Sequence, residues 1–321
     1  MPTWGELLKE LQEVQEKTNL PPFDIVRRKY LNLLKNKTGR DVILYATKWT
    51  VPGASPNDIA IVEEDVQGFM EVIHGLSNSA LDLIIHSPGG SAEVTEALVS
   101  YIRTKFTNVR VIIPQAAMSA ATMLACAANI IMMGKHSSLG PIDPQFILST
   151  QIGIQSVPAQ AILDQFDKAK EECQDPKLLG RWLPILSQYG PALLVQCENA
   201  IDLSETLLEQ WLEQYMFSGE QSASEKAQKI AQYLSDHKRF KSHARHIPRD
   251  KAKELGLNIE DLEKDQVTQD LILSVFHATT HTFNATPAVK IIENHNGKAF
   301  IKSQFVPIQL PEQSASKPKH P

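Results

Sequence analysis

Short apolar runs alternate with amphipathic stretches through the first half of the chain. Four runs have the length of buried strands: residues 41–47, 81–86, 109–114 and 129–134. Two stretches between them have apolar residues at the spacing of one helix face: residues 59–76 and 91–106. Strands that alternate with helices through short turns predict an α/β fold with a mainly parallel sheet and right-handed crossovers.

The remaining segments of the chain follow other patterns. We predict an N-terminal helical segment (1–35), a helical region (156–236), a C-terminal hairpin (289–303) and a disordered tail (311–321). The hairpin prediction rests on Asn296-Gly297, a pair that suits a type I′ turn. The helical region and the hairpin are assigned to one main domain, residues 36–310.

Composition and charge argue against several classes of protein. The 321-residue chain has a formal net charge of −5, so it lacks the basic footprint of a nucleic-acid-binding protein. Its three cysteines form no CxxC pair, which argues against a disulfide framework or a zinc site and favours a cytoplasmic location. The N-terminus lacks the apolar core of a signal peptide.

One uncharged stretch has about the length needed to cross a bilayer, residues 111–134. Pro114, Gln115 and Asn129 interrupt it where a strand or helix would end. We therefore predict a buried strand, helix and strand here rather than a membrane span.

Two turns that follow predicted strands contain the candidate chemistry. The turn SPGG (87–90) follows one strand, and Ser119 follows the next and opens an alanine-rich helix. In an open parallel sheet, ligands bind outside the carboxyl ends of the strands, so both turns should lie at the ligand edge. Gly89 and Gly90 permit a close backbone approach, and paired N–H groups form an oxyanion hole. Taken alone, SPGG also fits a tight turn and Ser119 fits a plain helix N-cap.

Three ordered motifs resemble the Clp-fold serine peptidases, which share the crotonase-type superfold. They are LIIHSPGGSAEVTEAL (83–98), VRVIIPQAAMSAATMLACAA (109–128) and KHSSLGPIDPQ (135–145), with a weaker match in RFKSHARHIPRDKAKELGL (239–257). The chain is identified as a member of the serine dehydrogenase proteinase family, which is related to signal-peptide-peptidase-A type enzymes. The resemblance implies a Clp/crotonase-like superfold of stacked ββα units with a helical insertion.

The resemblance also implies roles for individual residues. It implies Ser119 as the nucleophile and the backbone N–H groups at Gly89, Gly90 and Ala120 as the oxyanion hole. In the Clp pattern a histidine follows the serine and an acid lies in a later loop. Here Asp143 occupies the first position and the loop offers His243, so the two roles are exchanged in a Ser119–His243–Asp143 triad.

A lysine remains an alternative to histidine as the base. In a Ser–Lys dyad, as in signal-peptide-peptidase-A type enzymes, the lysine needs desolvation to lower its pKa. The candidates are Lys168, Lys170, Lys177 and, in the later loop, Lys238. None of them has a distinguishing local sequence.

Three functions remain open at this stage. The first, implied by the resemblance, is a serine peptidase that hydrolyses peptide bonds through an acyl-enzyme. The second is a crotonase-like acyl-CoA enzyme, in which the glycine amides would stabilise an enolate. The third is a non-catalytic assembly subunit of the same fold.

Expected partners follow from the first of these functions. They are a peptide or protein substrate and further copies of the chain in a homo-oligomer, with no nucleic acid; a membrane-associated substrate remains open. No GxGxxG motif follows a strand, so no dinucleotide site is expected, and neither a cofactor nor a metal is predicted.

Overall fold

The fold has a mainly parallel central sheet, as predicted, and helices cover both of its faces. The structure, a computed structural model, describes residues 3–150 and 153–304, so the predicted tail at 311–321 lies outside the described residues. Within those ranges the strands are β1 (Asp41–Thr47), β2 (Ala80–His86), β3 (Asn108–Ile113), β4 (Ala116–Ala117), β5 (Ile130–Met133), β6 (Ser138–Leu139), β7 (Gln145–Thr150), β8 (Gly153–Pro158), β9 (Ile247–Pro248), β10 (Ile259–Asp261), β11 (Ala288–Asn294) and β12 (Ala299–Ser303).

Helices precede, connect and follow these strands. They are α1 (Trp4–Thr18), α2 (Pro22–Thr38), α3 (Pro56–Ile59), α4 (Glu64–Ile73), α5 (Ala92–Lys105), α6 (Ala120–Cys126), α7 (Ala159–Glu172), α8 (Pro176–Leu186), α9 (Leu193–Trp211), α10 (Ala223–Ser235), α11 (His237–Phe240), α12 (Arg249–Glu254) and α13 (Gln266–Ala285). A π-helical turn at Leu212–Met216 extends α9, and a 3₁₀ turn at Leu262–Lys264 precedes α13.

The central sheet has the strand order β10-β5-β3-β2-β1-β11-β12. Strands β10 to β1 pair in parallel, and β11 and β12 add an antiparallel edge. Strand β2 is buried on both faces: Leu83 and Ile85 face the core that includes α4, α5 and α6, and Ile84 faces the core that includes α2 and α13. This two-sided burial explains why the parallel strands are continuous apolar runs in the sequence.

A second, smaller sheet lies beyond the carboxyl ends of β2 and β3. It contains β4, β6 and β9 in the order β4-β6-β9. Strand β4 pairs in parallel with β6 through Ala117 and Leu139, and β9 pairs antiparallel with β6. This layer places the segment before Ser119 beside the segment that leads to Asp143.

The helix predicted for residues 59–76 is shorter than expected, because α4 spans only Glu64–Ile73. Residue Ile61 is instead extended and forms a parallel bridge with Gly90. Its N–H donates to Gly89 O at 2.8 Å, and its carbonyl accepts from Ser91 N at 3.0 Å. A long-range backbone pairing therefore overrides the local helical pattern.

A fully buried ion pair holds this extended segment on both sides of Ile61. Lys290 Nζ lies 2.6 Å from Asp65 Oδ1 and donates to Ala60 O at 2.8 Å. The other oxygen of Asp65 accepts from Val62 N at 3.1 Å and from the Tyr45 hydroxyl at 2.8 Å. Burial lowers the pKa of Lys290, and the Asp65 carboxylate opposes that shift.

A second buried polar residue, His86, ends strand β2. Its ring packs against Trp49 and Phe276, with ring centroids 5.4 Å and 5.0 Å away. Both ring nitrogens are buried, and within the described residues neither has a hydrogen-bond partner. Burial lowers the pKa of His86 from 6.5 to about 3, so the imidazole stays neutral at physiological pH.

No helix among residues 3–150 and 153–304 is both long and apolar enough to cross a membrane.

Replacing Lys290 with Met should destabilise the fold strongly, because it leaves the Asp65 carboxylate buried without its cation. We expect a loss of about 3–5 kcal/mol in the free energy of unfolding, measured by urea denaturation. The matched control is Lys229→Met, at an exposed i,i+4 pair with Glu225, where a change within about 0.5 kcal/mol is expected. Equal effects of the two substitutions would show that the buried pair has no special role.

The stability of the protein should depend on His86 below pH 6.5. The unfolded chain binds a proton on this histidine near its ordinary pKa, whereas the folded chain does so only near pH 3. Stability is therefore lost as the pH falls through this window, by about 1.4 kcal/mol per pH unit. The measurement compares wild type with His86→Leu by urea denaturation at pH 7 and pH 4.5. The variant should lose about 2–3 kcal/mol less, and parallel losses would contradict the assignment.

Candidate active site

The turn after β2 and the turn before α6 are joined at the ligand edge of the sheet. Ser87 N donates to Ala116 O at 3.3 Å, and Met118 N donates to Ser87 O at 3.0 Å. These bonds extend the pairing of β2 and β3 beyond the ends of the two strands. The glycines of SPGG are thereby brought beside Ser119.

Gly89 makes the closest approach between the two turns. A Cβ atom at Gly89 would lie 2.5 Å from Met118 O, 2.7 Å from Ser119 Cβ and 2.8 Å from Ala120 N. Those distances leave no room for a side chain, and the φ of +95° at Gly89 also disfavours one. The plain tight-turn interpretation does not explain such a contact with a second turn.

The backbone amides of Gly90 and Ala120 are the candidate donors of these two turns. The Gly89 N–H donates within its own loop, to Ser87 Oγ at 3.2 Å. Within the hydrogen bonds described for residues 3–150 and 153–304, neither the Gly90 N–H nor the Ala120 N–H has an acceptor. The Ala120 amide lies in the first turn of α6, where no intrahelical acceptor exists.

Ser119 has a backbone conformation that is unusual for a serine. Its φ is +53° and its ψ is −125°, and its side chain makes no capping hydrogen bond to α6. Ser119 therefore occupies the N-cap position of α6, but its hydroxyl does not act as the cap. The residue is partly exposed between the buried Met118 and Ala120. A non-glycine residue with a positive φ, such as Ser119, stores backbone strain, and such strain is typical of functional sites.

Thr122 ties α6 to the segment that contains Asp143. Its hydroxyl oxygen lies 2.8 Å from Ala117 O and 3.0 Å from Gly140 O, so that its single proton is shared between these two carbonyls, and Gly140 N donates to it at 3.0 Å. Three residues after Gly140, Asp143 is buried, at 2% exposure.

The structure brings two of the predicted triad residues together. His243 Nδ1 lies 2.7 Å from Asp143 Oδ1. Since a carboxylate only accepts, Nδ1 carries the proton and the Nε2 of His243 is left as the basic nitrogen. Within the described residues, no hydrogen bond joins the Ser119 hydroxyl to His243.

Asp143 has a second imidazole partner that the sequence did not single out. His237 Nδ1 lies 2.9 Å from Asp143 Oδ2, the oxygen that also accepts from Gln145 Nε2 at 3.1 Å. His237 begins the basic run HKRFKSHARH (237–246), and only its position in that run could have marked it.

The candidate lysine bases lie in solvent. Lys238 is 67% exposed and pairs with Asp164 at 3.1 Å, and Lys168 is 66% exposed and lies 3.8 Å from Glu172. Lys170 and Lys177 are exposed as well. None of the four is desolvated, as a Ser–Lys dyad would require.

Three further histidines, His246, His277 and His281, have structural contacts. His246 Nδ1 bonds the Ser138 hydroxyl at 2.6 Å. His281 Nε2 lies 3.0 Å from Trp4 O, and its ring stacks on Trp4 with that of His277 at the edge. No group of three or more His, Cys, Asp or Glu side chains in the described part of the chain is arranged to hold a metal ion.

Comparison with other proteins gives distant relatives. The chain is 26% identical over 248 residues to the uncharacterized protein MJ0137 of Methanocaldococcus jannaschii, covering 76% of this chain and 77% of the relative. It is 29% identical over 181 residues to MJ1495 of the same organism, covering 56% of this chain and 51% of the relative.

Two solved structures of a 1510-N membrane-bound stomatin-specific protease are also similar, one of them in complex with a substrate peptide. Each is 16% identical and covers 56% of this chain, with TM-scores of 0.34 and 0.33 and coverage of 60% and 63% of the neighbour. The alignments therefore span less than two thirds of those proteases.

A family model also matches more than half of the chain. Residues 60–274 match the ClpP-like SDH-type serine proteinases. That range includes both turns at the ligand edge, Asp143 and His243. The mostly parallel sheet agrees with the Clp/crotonase-like superfold predicted from the sequence, and the chain belongs to the family of ClpP-like SDH-type serine proteinases.

Proposed function

We propose that this chain hydrolyses peptide bonds through an acyl-enzyme on Ser119. The observation that carries the proposal is the approach of Gly89 to the Met118–Ala120 backbone, which joins the loop that contains the Gly90 amide to the helix start that contains the partly exposed Ser119 and the Ala120 amide. Such amides stabilise the oxyanion of a tetrahedral intermediate. Membership of a serine proteinase family supports the reaction class.

The first half of the reaction forms the acyl-enzyme. Ser119 Oγ attacks the carbonyl carbon of the peptide bond while His243 Nε2 takes the hydroxyl proton. The Gly90 and Ala120 amides donate to the oxygen that becomes negative. Collapse of this intermediate breaks the C–N bond, and the leaving amine takes the proton from His243.

The second half of the reaction restores the enzyme. Water attacks the ester carbon, and its proton passes to His243 and then to Ser119 Oγ as the acid product leaves. Asp143 holds the His243 ring in the tautomer with a basic Nε2 and stabilises the imidazolium. The histidine is favoured over the lysines as the base because it alone is oriented by a buried carboxylate.

A homo-oligomer and a cytoplasmic location stay predictions of the sequence. The acyl-CoA reaction and the non-catalytic subunit have no specific support from the geometry, and each becomes an outcome of the first experiment below.

Ser119→Ala should abolish covalent labelling by a fluorophosphonate probe, because the probe phosphonylates an activated serine hydroxyl with loss of fluoride. Mass spectrometry of the labelled wild-type protein should place the adduct on Ser119. Ser119 is partly exposed, so the substitution should leave the fold intact, as checked by circular dichroism. Equal labelling of both forms would contradict the proposal. A folded wild type that is never labelled would favour the non-catalytic subunit, and binding of CoA would favour the acyl-CoA enzyme.

Gly89→Ala should slow labelling of Ser119 by about 10²–10³-fold, because its methyl group would push the two turns apart and displace the amide donors. The matched control is Gly53→Ala. Gly53 has a nearly equal φ of +97° but nothing within 4 Å of a Cβ position. Because the two φ angles are nearly equal, the backbone strain caused by alanine should be similar in both variants. The difference between their labelling rates therefore reports the contact of position 89 with Ser119. A similar labelling rate in the two variants would contradict the proposed oxyanion hole.

A further inference from the structure

The Asp143 carboxylate bonds two imidazoles, one on each oxygen. His243 Nδ1 bonds Oδ1 at 2.7 Å, and His237 Nδ1 bonds Oδ2 at 2.9 Å. The triad arrangement uses only the first of these contacts. His237 is therefore a polar group in contact with the site, and the mechanism assigns no role to it.

The backbone fixes His237 relative to Asp143 independently of the side-chain contact. Ile142 N donates to Leu234 O at 2.9 Å, which ties the residue before Asp143 to the end of α10. The Asp236 side chain then caps α11 by accepting from Arg239 N at 3.1 Å, so His237 is the first residue of a capped turn. His237 is thus held in place even before its ring reaches the carboxylate.

We propose that His237 is a positioning residue of the active site. It holds Oδ2 of Asp143, so that Oδ1 keeps the orientation that receives the Nδ1–H of His243. The inference rests on the proposed function and adds a residue to it. His237 acts through Asp143 and has no contact with the nucleophile in this account.

Physical chemistry supports a need for this second donor. A buried carboxylate oxygen without a full set of donors is costly, and a carboxyl group can rotate about its Cβ–Cγ bond to find one. Gln145 Nε2 alone would hold Oδ2 through a longer contact of 3.1 Å. His237 adds a ring donor whose position is set by backbone bonds, so rotation of Asp143 away from His243 becomes unfavourable.

A surface cavity gives small molecules access to His237. It has a volume of about 260 Å³, and its walls include His237, Asp236, Ser235, Glu205 and Gln160. Truncation of His237 would enlarge this cavity towards Asp143. Added imidazole could then enter from solvent and donate to Oδ2 in place of the missing ring.

The test compares His237→Ala with His237→Asn in fluorophosphonate labelling. The Asn amide can place a donor near the position of Nδ1, whereas Ala has none. We expect His237→Ala to lower the maximal labelling rate on the order of 10-fold with unchanged probe affinity. His237→Asn should label almost as fast as wild type, and imidazole should restore much of the rate of His237→Ala. The control is His74→Ala, at an exposed histidine that follows α4. It should label at the wild-type rate both with and without added imidazole.

Two results for the maximal labelling rate would overturn the inference while the wild type still labels on Ser119. One is a wild-type rate in His237→Ala, and the other is an equally slow His237→Asn with no rescue by imidazole. A loss of probe affinity instead of maximal rate would also contradict it.

Failure of the proposed function is distinguishable, because then the wild type would not label on Ser119. Even in that case, proton NMR of protein with ¹⁵N-labelled histidine tests whether His237 positions Asp143 for its hydrogen bond with His243. The Nδ1–H signal of His243 should move towards its unbonded position in His237→Ala and stay in place in His237→Asn. An unchanged signal in His237→Ala would overturn the inference.

Discussion

The contact between Gly89 and the backbone of Met118–Ala120 is the constraint on which the rest of the site depends. A side chain at position 89 would collide with three backbone or Cβ atoms, so the two turns can meet only through a glycine. Their meeting joins the loop of the Gly90 amide to the helix start that contains the Ala120 amide and the partly exposed Ser119, and neither amide has an acceptor among the described residues. Preorganised donors of this kind cost no rearrangement when charge develops in a reaction.

Backbone hydrogen bonds and a buried ion pair stabilise the contact between Gly89 and the Met118–Ala120 backbone. Pairing of β2 with β3 continues into bonds between Ser87 and the Ala116–Met118 segment, and Ile61 pairs with Gly90 from the opposite side. The buried pair of Lys290 and Asp65 anchors Ile61 in turn. The strained φ of Ser119 persists because so many bonds determine the surrounding backbone.

Much of the fold could be predicted from local sequence, because its strands are buried on both faces and therefore appear as short apolar runs. The two turns at the ligand edge were predictable for the same reason, since they follow such strands. The extent of the helix around Ile61 was not, because its pairing with Gly90 is a long-range contact. Asp65 and Lys290 are 225 positions apart in the sequence, and Asp143 and His237 are 94 positions apart. No local sequence pattern indicates either contact. The prediction that Asp143 pairs with His243 follows only from the family resemblance.

The most direct measurement of the central claim is a crystal structure of the protein with a peptide boronate. The account predicts a covalent bond from Ser119 Oγ to boron, with a boronate oxygen about 2.7–3.1 Å from the amide nitrogens of Gly90 and Ala120. A boronate attached to another side chain, or an oxygen that faces away from both amides, would contradict it.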